Sequence, residues 1–423
     1  MKVSISLAAL ILALSFNIQA EEKLISKTEL RNKIAGYWMG QIVGNYVGFP
    51  FESLYNEKTG PMPVRIDRYI NCHSDYDLLN GEWKELKIHC SDRRGFTDIV
   101  ASSMQGVASD DDTDIEFVYL NAVENYGLDI NYQEICEVWK KHINHYIWGG
   151  NAVARQLMNE GFLPPETGKK ENNRNWYYID AQIENEIWGV FYPGMPGKAA
   201  ERTDWSARIT NDQWTVQMAV AYSVMYSAAF FEDDVEKLTR RVLEHIPHEG
   251  PFFEGLTDLL TWYGEGQSWE DCWQKVVDKY RIRYVKNRDL GVPAGGIAGL
   301  HNALVTIMAI LYGEGDFMQT LDLAVRAGFD NDCNAATAAG LIATMHGADV
   351  IPETFLYDMP AGKAWKTPFN NRYVNFTRDE LPQVNEMEDI IDRIFAIAES
   401  AILENGGKRL EKDGDSHYLI QGM

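Results

Sequence analysis

Apolar residues recur at three- and four-residue spacing along most of the chain. In "DIEFVYLNAVENYG", Ile115, Val118, Tyr119 and Ala122 share one helical face, and Gly127 supplies a stop. The same period runs through "TVQMAVAYSVMYSAAF", "VEKLTRRVLEHI" and "SWEDCWQKVVDKY", and again through "AGLHNALVTIMAILYGEG" and "EDIIDRIFAIAESAIL". Alternating apolar and polar positions are scarce, and no strand–helix alternation predicts a parallel sheet. Polar, Gly- and Pro-rich stretches around 53–98, 161–181, 192–205 and 359–382 are expected to be loops. No fixed-period repeat or low-complexity linker divides the chain. The pattern predicts a single all-α domain.

Residues 1–20 stand apart from that pattern. Lys2 precedes the apolar run "VSISLAALILALSF", and "NIQA" ends in Ala20 before the charged "EEKL". A charged start, an apolar stretch and a small residue at the cleavage point predict a signal peptide over 1–20, with 21–423 as the exported, periplasmic or extracellular protein. The run is shorter than the roughly 18 to 20 residues a spanning helix needs, and no later segment approaches that length. No Cys follows it to carry a lipid anchor. The remaining roughly 400 residues suffice for one large domain. A formal charge of -23 opposes nucleic acid or an anionic membrane as partner. Five cysteines cannot all pair within the chain. Cys72 and Cys90 share one polar stretch and are expected to form a disulfide, whereas Cys136 and Cys272 read as small core residues. No CxxC or Cys/His array points to zinc.

The candidate chemistry lies in two acidic clusters, each at the start of a helical pattern. One is "ASDDDTDIEF", with Asp110, Asp111, Asp112 and Asp114; the other is "RAGFDNDCNAATAAGLIATMHG", with Asp330 and Asp332 before an alanine-rich run. Acids at a helix start satisfy free N–H groups and suit the positive end of the dipole. Oxygen ligands converging on a hard cation are the competing explanation. A calcium loop of the EF-hand type needs Gly at its sixth position and Glu at its twelfth. Counted from Asp330 those positions hold Ala335 and Leu341, and from Asp110 they hold Ile115 and Asn121, so both fail. Two clusters meeting in space would repel unless cations sat between them. A metal pair about 3.5–4 Å apart is a known catalytic arrangement.

These clusters and the segments around them resemble those of the ADP-ribosylglycohydrolase family. "GYWMGQIVGNYVGFPFES" is similar to its Gly-rich opening helix, which leads into a glutamate, here Glu52. "SDDDTDIEF" resembles its Thr-Asp-Asp-Thr motif, and "GFDNDCNAATAAGLIATMHG" its Asp-x-Asp-Thr/Ser motif. "AQIENEIWGVFYPGMPGKAAERTDWSA" and "LHNALVTIMAILYGEGDF" resemble further segments, so the motifs run in order from about 30 to 355, with a C-terminal helix and tail after 383. The resemblance implies a compact orthogonal helical bundle with a dinuclear magnesium site in a cleft. It implies hydrolysis of the bond between the ribose anomeric carbon and an acceptor, in a small-molecule or protein-linked ADP-ribosyl substrate. Asp111, Asp112, Asp330 and Asp332 are the implied ligands, with Asp332 bridging, and Glu52 poises the attacking water or the metal shell. Asp112 is expected to serve the chemistry as well as the metal. Asp110 and Cys333 complete the expected metal set, and the ions are two Mg2+ or another divalent cation.

Several residues depart from the family pattern. Asp110 and Cys333 stand where Thr or Ser is usual, Asn45 where many members have Asp, Glu186 where one bacterial branch has Asp, and Asn211 where it has His. Sulfur is a poor ligand for magnesium. Trp148, Trp176, Trp188 and Tyr192 are candidates for stacking on an adenine or a sugar, against the plainer reading of core aromatics. His301 and Asn302 begin a helix in a family-like position, and His346 reads as a helix-end residue. Two other functions compete: an exported glycosidase or nucleoside hydrolase on scavenged sugar compounds, and a non-catalytic binding protein on the same fold.

Overall fold

The computed structural model describes residues 22–69, 106–108, 110–292, 298–359, 363–364 and 371–421. The expected signal peptide at 1–20 and the expected disulfide partners Cys72 and Cys90 lie outside the described residues. Sixteen helices carry the described fold. In chain order they are α1 (Lys27–Gly48), α2 (Asp111–Tyr126), α3 (Tyr132–His142), α4 (Gly149–Asn159), α5 (Asp180–Ile183), α6 (Glu186–Phe191), α7 (Pro196–Ala207) and α8 (Trp214–Ala229). They continue as α9 (Val235–Val242), α10 (Pro251–Gly264), α11 (Trp269–Val276), α12 (Gly299–Gly313), α13 (Phe317–Ala327), α14 (Asn331–His346), α15 (Glu353–Tyr357) and α16 (Met387–Glu404).

The strands are short: β1 (Glu22–Ser26), β2 (Val107–Ala108), β3 (Asp358–Met359), β4 (Lys363–Ala364), β5 (Arg372–Val374), β6 (Val384–Glu386), β7 (Lys408–Lys412) and β8 (Asp415–Gln421). They form three small sheets, ordered β1-β8-β7, β2-β5-β6 and β3-β4. The segment after α16 turns at Asp413-Gly414, both with positive φ, and β8 then runs antiparallel to β1 from Glu22 opposite Gln421 to Ser26 opposite His417. The chain ends described here are thus tied together.

The central helices α1, α8, α12 and α14 are buried nearly all round. That is why their sequences carry no single polar face, unlike the amphipathic α9 and α11 at the periphery. The central pair is set by small residues. Glycines recur every fourth position along α1, at Gly36, Gly40, Gly44 and Gly48, and face Ala343, Ala339, Ala335 and Asp332 in descending order. The two helices therefore run antiparallel in backbone contact: a Cβ on Gly44 would lie 2.2 Å from the Ala335 carbonyl oxygen. This contact brings the C-terminal end of α1 onto the N-terminal end of α14.

One expected loop is corrected. The stretch 192–205 contains most of α7, because Pro196 sits at the first turn, where its missing N–H removes nothing the helix uses. "SWEDCWQKVVDKY" also behaves differently in its second half: α11 ends at Val276 and the chain widens into a π-helix over Val277–Lys286. Such wide turns are frequent at functional sites. Cys136 and Cys272 are buried free thiols, as expected of core residues. No helix of the described residues is long and apolar enough to cross a membrane.

Candidate metal centre

The acids of the two clusters do not cap their helices. Asp110 occupies the N-cap position of α2 and Asp330 that of α14, yet neither makes a side-chain cap hydrogen bond. Their carboxylates are directed elsewhere. The fold brings Asp111, Asp112 and Cys333 into one group, and Asp330, Asp332 and Cys333 into another, with candidate ligand atoms within 4.8 Å of one another in each group. Cys333 belongs to both, so the two helix starts meet at its thiol.

Asp112 is buried, and its Oδ1 has no hydrogen-bond partner, while Oδ2 accepts a short bond from Asn45 Nδ2. The same amide nitrogen donates to Asp110 Oδ2 at 3.0 Å. Asn45 thus sits between two carboxylates and offers protons where the usual Asp would add a third negative charge. Asp110 lies beside the site through this contact and belongs to neither ligand group.

Burial raises the carboxyl of Asp111, and the charges of Asp110, Asp112 and Asp330 raise it further. Burial and the charges of Asp110 and Asp330 likewise raise Asp112, against the opposing bonds from Asn45 and the Cys333 thiol. Burial and the nearby aspartates hold the Cys333 thiol well above its ordinary range. Carboxylates gathered this closely without a cationic side chain on Asp111 or Asp112 fit a bound cation, which removes both the repulsion and the burial penalty. The bare Oδ1 of Asp112 fits it too.

Glu52 follows a 3₁₀ turn, Phe49–Phe51, at the end of α1 and is half-buried. Two backbone bonds staple its loop to the start of α14: Ser53 N–H donates to Phe329 O at 2.8 Å, and Phe329 N–H to Tyr55 O at 2.7 Å. Ser53 and Phe329 both adopt left-handed φ, 61° and 64°. Conformations of this kind cost on the order of 1–3 kcal/mol and persist where surrounding contacts over-determine them. The staple places Glu52 next to the turn bearing Asp330, though outside both ligand groups.

A cleft of about 220 Å³ opens beside Asp330, lined by Ser53, Glu57, Arg281, His301, Phe329 and others. Two larger clefts, of about 770 and 730 Å³, contain none of the cluster residues, so size alone does not locate this site. Arg281 projects from the π-helix and its Nε donates to Glu57 Oε2 at 3.3 Å. His301 is 2% exposed, packs edge-on to Phe329 with ring centroids 4.6 Å apart, and is kept neutral by burial and by Arg281. Asn302 Oδ1 accepts from the Asp330 backbone N–H at 3.2 Å and from Asn334 Nδ2 at 3.0 Å, which orients the turn carrying Asp330.

Asp114, the last acid of the first cluster, has a separate role. It is fully buried in an ion pair with Arg378 at 2.7 Å, and burial still pushes its carboxyl up to about 6. Arg378, Arg281 and Glu57 gave no signal in the sequence, since each acquires its partner only through distant contacts. Trp176, Trp188 and Tyr192 are buried in the core, whereas Trp148 is 57% exposed. Asn211 is spent on the backbone, accepting from Ala181 N–H at 3.3 Å and donating to Tyr178 O at 2.8 Å. His346 ends α14.

The described residues thus form a helical bundle with acidic groups gathered at two helix starts, an arrangement that could hold a metal. Residues 26–396 match the ADP-ribosylglycohydrolase family model, and the chain belongs to that family. It is a glycohydrolase of the ADP-ribosyl type, in a family that is metal-dependent. A solved structure described as an ADP-ribosylglycohydrolase-related protein complex is similar at 14% identity, covering 88% of this chain and 99% of its own, with a TM-score of 0.49. No curated protein sequence matches the chain.

Proposed function

We propose that this protein hydrolyses the glycosidic bond at the ribose anomeric carbon of an ADP-ribosyl or related compound, using two Mg2+ ions or another divalent cation. The observation that carries the reading is the meeting of two non-capping acidic helix starts around Cys333, with a buried Asp112 oxygen left without a donor. Asp111, Asp112, Asp330 and Asp332 would hold the metal, with the Cys333 thiol between them. Bound divalent cations supply orientation of the ribose hydroxyls and a lowered pKa for a bound water. The carboxylates stabilise the positive charge that develops at the anomeric carbon in an oxocarbenium-like transition state. Glu52, on its stapled loop, orients the attacking water and accepts its proton at a carboxylate oxygen. Asn45 holds the Asp112 carboxylate in place from the side opposite its bare oxygen.

A second reading, hydrolysis of free nucleoside or ADP-ribose derivatives outside the cytoplasm, is favoured by the apolar leader at 1–20. A screen of ADP-ribosyl-arginine, ADP-ribosyl-serine, nucleosides and aryl glycosides, each with and without Mg2+, separates the two. Turnover of at least one substrate is expected, and a chelator should abolish it. Asp332→Asn should abolish turnover with the far-ultraviolet helical signal unchanged; near-normal activity there removes the dinuclear reading. Glu52→Gln should be inactive yet still bind metal by calorimetry, and loss of all bound metal would make Glu52 chiefly a ligand.

A further inference from the structure

One helical turn beneath the metal centre lies a second polar layer that the chemistry above does not use. On α2, Glu116 follows Asp112 by four residues; on α1, Gln41 precedes Asn45 by four; on α14, Thr337 follows Cys333 by four. Residues four apart on a helix stack on the same face. Glu186, at the start of α6, completes the layer.

Each of the four carboxyl oxygens meets a neutral donor, and the Gln41 side chain adds a further bond to Glu116. Glu116 Oε2 accepts a short bond from the Tyr37 hydroxyl, and its Oε1 accepts from Ile187 N–H at 2.8 Å. Glu186 Oε1 lies 2.7 Å from Thr337 Oγ1, and its Oε2 accepts from Asn185 N–H at 3.1 Å. Both glutamates are buried to within 1% of full exclusion from solvent. The titratable groups facing them are Tyr37 from α1, Asp112 and Tyr119 from α2, and Tyr222 and Tyr226 from α8, with Glu184 just before α6. All are neutral or acidic, so among the described residues none of these neighbours is a cation that would offset two buried negative charges.

We propose that Glu186 keeps its proton beside Glu116 and that the two act, with Tyr37, Gln41 and Thr337, as a positioning layer that sets how α2 and α14 present Asp112 and Asp332. Burial pushes the Glu186 carboxyl up to about 8, and burial together with Glu186 holds Glu116 well above its ordinary range. The layer ties α1, α2, α6 and α14 at one level, so a change in its charge or length is transmitted one turn up to the ligands.

A buried carboxyl that keeps its proton has a definite signature. A carboxyl at 4.5 in the unfolded chain and about 8 in the folded one makes the native state the better proton binder across that window. The stability it contributes is fully present below about 4.5 and is lost as pH rises through about 8. Thermal melting of the full chain at successive pH values should show this decline. Glu186→Gln, which mimics the protonated carboxyl, should make it shallower.

The second arm rests on the metal reading above: Mg2+ calorimetry should find affinity lowered about 10- to 100-fold in Glu186→Ala, as for other residues that orient ligands, and near wild type in Glu186→Gln. Should the Ala variant fail to fold, Glu186→Asp, shorter by one methylene, takes its place with the same expected loss. A decline as steep in Glu186→Gln as in the wild type overturns the retained proton, and unaltered Mg2+ affinity in the Ala or Asp variant overturns the positioning role. If the wild type binds no Mg2+ while Glu186→Gln still makes the decline shallower, the metal reading fails and the retained proton stands.

Discussion

Asn45 and Asp110 show how two departures from a family pattern can belong together. The family's usual arrangement places an acid at one position and a hydroxyl at the other; here an amide faces an acid, and the amide donates to both Asp110 and Asp112. The exchange keeps the local negative charge constant while moving it outward. Cys333, the other departure, lies in both ligand groups and replaces a hard oxygen with a soft sulfur. Asp110→Thr should weaken Mg2+ binding, because it removes a carboxylate beside the site and leaves the Asn45 amide bonded to Asp112 alone. Adding Asn45→Asp returns a carboxylate and should recover part of the loss. A double-mutant cycle by calorimetry should give a coupling of about 0.5–3 kcal/mol, as for residues in contact. Strict additivity would reduce Asp110 to a solvated neighbour.

At the level of elements, the contact between α1 and α14 decides whether the clusters can meet. Their backbones touch along four glycines, and the last, Gly48, lies so close that a Cβ would stand 2.4 Å from Asp332 Cα. Gly44→Ala inserts a methyl against the Ala335 backbone, which cannot yield as a flexible side chain would. Overpacking of this kind typically costs about 1–3 kcal/mol and shifts the backbone. The variant should therefore melt earlier and bind Mg2+ more weakly, since α14 carries Asp332 away from α2. Gly264→Ala is the matching control, because its added Cβ meets nothing within 4 Å. Equal melting of the two variants would show that the close contact is not needed.

Across the whole molecule, a charge of -23 and a nest of closely gathered carboxylates work against the compact state, and a bound cation would relieve the nest. A ligand that binds only the native state stabilises it by about 2.7 kcal/mol at 100 times its dissociation constant. Melting in saturating Mg2+ should thus exceed melting in chelator by that order. The difference should disappear in Asp332→Asn. An unchanged melting curve for the wild type would mean that no cation binds these residues at the concentrations used. The tie between β1 and β8 closes the molecule at a distance from the site and should be indifferent to metal.

Local periodicity was enough to read the long helices, the all-α class and the two acidic clusters, because helical spacing and clustered charge are properties of neighbours in the chain. The ordered motifs added the family, and with it the expectation that the clusters meet. Only the tertiary structure showed that Asp110 and Asp330 do not cap their helices through their side chains, since a carboxylate at a helix start has the same sequence in either role and differs only in where it points. The buried pair Asp114–Arg378, the Arg281–Glu57 contact and the layer formed by Glu116 and Glu186 were illegible for the same reason: each joins residues at least 70 positions apart, and a charged residue carries no local mark of its burial. The helix at Pro196 and the hairpin turn at Asp413-Gly414 did have local signals, a proline suited to a first helical turn and an Asp-Gly pair, but such signals serve loops equally well until packing selects one outcome.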